Sequence, residues 1–325
     1  MTNFDLTAPT VPGVSAVENQ TFSEALLEIL GDAVARFQPD LRDAAGACLA
    51  VLAAVAALSM LSMLPGKKTG IRLAGAMVVA TILLEPAHAL ITLGADTLQE
   101  LGEYEKLLLP VLTAALAAQG GVGTSAALYA GTAAFNALLS SVTSRLLVPM
   151  IYMYLALAVG YAAVGEEMLK KIRDFIRSAA IWGLKTLLYV YTGYITITGV
   201  VSGATDASLL KAAKLTISGV VPVVGGILSD ASEAVLVGAA AVKNAAGIYG
   251  LLAVLSLWIG PFLRIGAHYL MVKAVGAVSG VFGVEGASAV IDAFASAMGL
   301  LLAMTGAVCL MLIISTICFL RGAGL

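Results

Sequence analysis

The sequence predicts an all-α, polytopic integral membrane bundle carrying an internal duplication and two broken or re-entrant segments. Three observations lead there. Hydrophobic residues make up 60% of the 325 positions and charged residues only 12%, with a mean hydropathy of +0.99; soluble domains average about 45–50% and about 25%. Apolar runs of the length that crosses hydrocarbon as a helix, about 20 residues, recur along the chain. Two of these runs are interrupted by clustered Pro and Gly, which a helix bathed in lipid cannot tolerate without shelter for its freed backbone groups. The net charge of −2 and the lack of a basic arm or aromatic-interleaved basic patch argue against a nucleic-acid partner.

Residues 1–43 read as an extracytoplasmic tail and residues 44–325 as the membrane domain. In the tail, TFSEALLEILGDAVARF (21–37) places Phe22, Leu26, Leu27, Leu30 and Val34 at helical spacing behind a capping Thr21. This predicts an amphipathic helix, either on the outer membrane surface or against the bundle. Residues 1–20 lack the charged and apolar regions of a secretory signal; either a signal has been trimmed or the first span carries the tail across. Residues 44–64 are free of charge and form the cleanest span. Residues 73–95 form a second, interrupted by Glu85, Pro86 and His88. Residues 107–144 are uncharged but broken at Gly120, Gly121 and Gly123, and 146–165 and 178–204 follow, the latter holding Lys185. Residues 215–242 contain VPVVGGILSD, with Pro222, Gly225, Gly226 and Asp230, and then Glu233. The run 245–283 is too long for one simple span and carries Pro261, Arg264 and Lys273; 287–320 closes the chain.

Lys67, Lys68 and Arg72 crowd one short loop, and Lys170, Lys171, Arg173 and Arg177 another. The bias of Lys and Arg toward the cytoplasm predicts both loops there, and Lys170, Lys171, Arg173 and Arg177 are the candidates for a partner-facing surface. The acidic stretch DTLQELGEYEK (96–106) and the acidic tail are then outside loops. That topology requires 107–144 and 215–242 each to enter and leave on one side.

A repeat is written across the apolar background. LLLPVL (107–112) resembles GVVPVV (219–224), pairing Pro110 with Pro222, and TAAFNALL (132–139) resembles AAVKNAAG (240–247), pairing Asn136 with Asn244. Further on, Pro149 pairs with Pro261, Glu167 with Glu285, Asp174 with Asp292 and Ser178 with Ser296. The units are 107–200 and 219–318. Paired interrupted segments in two halves point to a transport or pore site near the midplane; alternatively the glycines only let helices pack closely.

Ionisable groups at membrane depth cost about 2.5–3.5 kcal/mol on insertion scales and face a cavity or a partner. Glu85 and His88 stand three apart on one helix face. Asp230 and Glu233 with Lys243 are the set best suited to line a polar interior. Cys48, Cys309 and Cys318 lie in apolar runs without CxxC spacing and read as small core residues. No metal-binding HExxH, nucleophile elbow or phosphate loop occurs, so neither an enzyme nor a cofactor is expected.

The stretch SGATDASLLKAAKLTISGVVPVVGGILSDASEAVLVGAAAVKNAAGIYG (202–250) resembles the signature region of the stage III sporulation protein AE family. The resemblance extends through AFNALLSSVTSRLLVPMIYMYLAL (134–157) and EEMLKKIRDFIR, covering the chain from about residue 35 onward. It implies a multi-pass protein of the mother-cell membrane around the forespore. It also implies partnership with other stage III proteins, including ring-forming components and a secretion-type ATPase, and indirectly with a forespore channel partner. The implied role is a permease-like or channel-associated component of that apparatus, needed after engulfment; the alternatives are a non-conducting scaffold or an independent secondary transporter. No catalytic residues carry over.

Overall fold

The computed structural model describes residues 22–62, 68–118, 122–197 and 245–322, and every element among them is helical. The helices are α1 (Phe22–Ser62), α2 (Lys68–Ala118), α3 (Val122–Val142), α4 (Val148–Val164), α5 (Glu167–Ile197), α6 (Ala245–Val281) and α7 (Glu285–Gly322). A π-helical turn, Thr143–Leu147, joins α3 to α4 without a break. Five helical segments are long and apolar enough to cross a membrane: Leu41–Ser62, Thr69–Ala114, Tyr129–Val164, Tyr249–Val281 and Glu285–Ile317. The span expected over 178–204 is not among them; its described part lies in α5, where Lys185 and several threonines and tyrosines dilute the apolar residues.

Several predicted boundaries dissolve because apolar and polar stretches share one helical register. Residues 21–37 and the first span fuse into α1, which runs through the 43/44 division. Of its outer half, Ile29 and Ala33 face the core, whereas Leu27, Leu30 and Val34 are exposed. Of the two placements expected for the apolar face, against the bundle or on a membrane surface, the exposed Leu27, Leu30 and Val34 do not match the first. The acidic stretch 96–106 is no loop. It is the middle of α2, a helix of 51 residues, about 75 Å at the α-helical rise and more than twice the hydrocarbon thickness.

α7 is the central rod. Of its span, 83% is buried inside the bundle against 28% of the α1 span, so α7 sees protein on nearly every side and α1 mostly does not. α6 and α2 pack most extensively on it. Trp258, Ile265, Tyr191 and Leu101 are fully buried, and the Tyr191 hydroxyl donates to the Met311 carbonyl at 3.1 Å. Gly94 permits the close approach of α2 to α7: a Cβ there would lie 3.2 Å from Leu301.

The described residues of both predicted basic stretches, from Lys68 and from Lys170 onward, lie toward one end of the bundle. The Arg72 guanidinium, at the start of α2, donates to the carbonyls of Tyr161 and Ala162, both at 3.1 Å. It thereby adds a second donor to the Tyr161 carbonyl, which already accepts the Gly165 N–H at 2.8 Å, and bonds the Ala162 carbonyl in the last turn of α4. The turn between α6 and α7 lies at that same end, where the Ser59 hydroxyl donates to the Phe282 carbonyl at 3.0 Å. Gly165 and Gly283 carry the left-handed φ values, 86° and 70°, that reverse the chain at these two turns.

Candidate functional site

Along α2, Leu98, Leu101, Leu109 and Leu112 are buried, and Glu105 occupies the same stripe. The spacing of three and four residues puts all five on one helical face, so a carboxylate stands where a core leucine would. α3 runs back along α2 and presents Thr132 and Asn136, both buried, on its inner face, with Thr143 of the π-turn below them. The Asn136 amide donates to the Gly102 carbonyl at 3.2 Å, and the same side chain hydrogen-bonds the Glu105 carboxyl group. Gly102 leaves the room for this: a Cβ there would meet Asn136 Oδ1 at 3.4 Å.

Gly102, Glu105, Asn136 and Thr143 line a cavity of about 270 Å³, completed by Asp96, Gln99, Glu103, Lys106 and Ser144 and by the apolar Leu98, Leu139 and Val308. That volume holds several waters at about 30 Å³ each. Three carboxylates face one ammonium around it, so the cavity is acidic. Chemically it can bind or pass small polar or cationic species.

The π-turn has a local cause. Pro149 has no N–H to return to Arg145, and its ring would crowd that carbonyl. The turn widens instead, and the Val148 N–H bonds Thr143 O, five residues back. Such single π-turns concentrate at functional sites, and this one aims Thr143 and Ser144 at the cavity. A cysteine at Ser144, which is exposed at the cavity edge, should react with a membrane-impermeant maleimide, and one at buried Leu101 should not. Protection at both positions would mean that water does not reach the cavity.

Of the sequence-derived candidates, Asn136 is in the cavity. Pro110 lies inside α2, and the Gly123 backbone lies in the first turn of α3. α2 ends at Ala118 and α3 starts at Val122, so the two meet at the predicted first break; Gly120 and Gly121 lie outside the described residues. The legs on either side are extensions of the long helix α2 and of the α3–α4 rod. The second broken segment, with Pro222, Gly225, Gly226, Asp230, Glu233, Lys243 and Asn244, lies wholly outside the described residues. Glu85 and His88 are not interior. Both are exposed on α2, and His88 Nδ1 pairs with the Tyr152 hydroxyl of α4 at 2.8 Å. Lys273 is ion-paired with Asp292 at 3.4 Å, both more than half exposed. Lys170 pairs with Glu167, and Arg173 with Asp174; both cations also lie over the Tyr161 ring. Lys171 is exposed and Arg177 half-buried. Cys48 and Cys309 are buried free thiols.

Glu105 was hidden because it sits in a run of acidic residues that reads as a loop. The signal was present: leucines three or four residues away on either side continue the helical stripe straight through DTLQELGEYEK.

The family model described as stage III sporulation protein AE matches residues 67–323. The match begins just before α2, later than the residue 35 suggested by the sequence resemblance, and leaves α1 outside. A curated protein, stage III sporulation protein AE of Bacillus subtilis (strain 168), is 24% identical over 203 residues, covering 62% of this chain and 51% of that protein. The chain thus spans about half the length of the curated relative it matches. No solved structure matches. With more than three quarters of its length matched by that family model, and with several membrane-crossing helices, the chain belongs to the stage III sporulation protein AE family.

Proposed function

We propose that this chain is the permease-like membrane component of a sporulation transport apparatus, with the α2–α3–π-turn cavity as part of a path or gate. In this reading it lies in the mother-cell membrane around the forespore. There it works with ring-forming stage III proteins and a secretion-type ATPase, faces a forespore channel partner across the second membrane, and has no catalytic role of its own. One observation carries the reading: a buried carboxylate, Glu105, borders a polar cavity inside an otherwise apolar helical bundle. A scaffold has no use for an ionisable group at such a position, whereas a conducting or gating element does.

A duplicated origin fits the same reading. The α4–α5 and α6–α7 hairpins run in the same direction. Each turns on a left-handed glycine, Gly165 or Gly283, followed two residues later by the first residue of the next helix, Glu167 or Glu285. These are the glycines and glutamates that the repeat pairs, and repeated units placing a site at their interface are common in transporters.

Filling the cavity tests the function. Ser144→Trp, at an exposed position, should leave membrane insertion and protein level unchanged and abolish forespore gene expression after engulfment. A strain carrying it that sporulates like wild type would sink the path reading and leave a scaffold.

A further inference from the structure

We propose that the first half of α5 is a docking surface for anionic phospholipid headgroups at the basic end of the bundle. α5 has two unlike halves. From Ala180 onward it gives Leu184, Leu187, Leu188 and Tyr191 to the core, whereas no residue from Glu167 to Ala179 is buried. Met168, Phe175 and Trp182, each 71% exposed, recur every seven residues and so form one stripe. That stripe points away from the bundle.

Its surroundings follow from its neighbour. α4 belongs to an apolar span ending at Val164, and the turn at Gly165 sends α5 back along α4. The stripe therefore starts at a membrane boundary, where the apolar face of an amphipathic helix is covered by acyl chains. It continues into Tyr189 and Val190, which are also exposed, so the apolar stripe runs on along α5 as a face covered by acyl chains does.

The charges choose the kind of lipid. Lys170 and Arg173 are engaged locally with Glu167 and Asp174. Lys171, exposed beside the stripe, and Arg177 have no ion-pair partner among the described residues. Lys171 flanks the stripe, whereas half-buried Arg177 stands on the opposite side of the helix. A long cationic side chain beside an apolar stripe reaches up to the headgroup layer, and that layer is complementary when it is anionic.

The test uses the full-length chain in nanodiscs of phosphatidylcholine with a minority of phosphatidylglycerol, with bromine on the acyl chains of one lipid at a time. The Trp182 signal is the difference between wild type and Trp182→Phe, which leaves the core residue Trp258 in place. Brominated phosphatidylglycerol should quench Trp182 about 3-fold more than an equal fraction of brominated phosphatidylcholine. High salt and the Lys171→Gln variant should each remove that excess. Equal quenching by the two lipids would overturn the headgroup assignment. Quenching by neither would overturn it too, and would assign the stripe to a protein partner.

Discussion

Replacing Asn136 by leucine is expected to lower the stability of the bundle and to abolish sporulation after engulfment. The amide holds two acceptors together, the Gly102 carbonyl on one side and the Glu105 carboxyl group on the other. Leucine fills a similar volume but donates nothing, and a buried acceptor left without its partner costs about 1–3 kcal/mol, more when it is charged. The thermal midpoint of the purified protein should fall by several degrees. Glu105→Leu added to Asn136→Leu removes the carboxyl acceptor, leaving the Gly102 carbonyl without its Asn136 donor, and should restore part of that midpoint, because replacing both partners of a polar pair by apolar groups is close to neutral. The double variant should nevertheless fail to sporulate, since the cavity has lost its buried carboxylate. If it sporulates normally, Glu105 and Asn136 are structural partners and nothing more.

The second large effect is expected where Arg72 wedges between the two hairpin turns. A methyl group at Gly286 would collide with the backbone carbonyl of Arg72, which cannot swing aside as a side chain could. Gly286→Ala should therefore force α7 away from α2 at the basic end, at a cost of about 3 kcal/mol, and lower the thermal midpoint by about 5 °C or more. Gly165→Ala meets Arg72 differently. Its new Cβ collides with the guanidinium, and its φ of 86° strains any L side chain. Adding Arg72→Ala should relieve the collision but not the strain, which remains at about 1–2 kcal/mol. Gly283→Ala, with φ of 70° and open space around it, should show that strain alone. Equal midpoints for Gly286→Ala and wild type would mean that the turns are not clamped by Arg72.

The two effects fall at different ends of the bundle. Arg72 joins the α4–α5 and α6–α7 turns at the basic end, and Asn136 joins α2 to α3 well along both helices. Gly286→Ala should thus disturb assembly without touching the chemistry of the cavity, whereas Asn136→Leu should do both. The contrast separates loss of fold from loss of path in the same sporulation assay.

The amino-acid sequence by itself determined the membrane class, the all-helical content, the interruption near residues 119–123, the shared end of the two basic stretches and the choice of Asn136 as a candidate. Each of these is a local property: an apolar run, a Gly cluster, a charge count near a span end, a polar residue alone on an apolar face. Only the tertiary structure decided that 96–106 belongs to one long helix and that Glu105 is buried. It also decided that His88 answers to Tyr152 and Lys273 to Asp292, and that Ile29 and Ala33 rather than Leu27, Leu30 and Val34 face inward. The physical reason is common to all of these. In a chain that is apolar on almost every helical face, periodicity no longer separates inside from outside, and burial is set by which helix stands opposite.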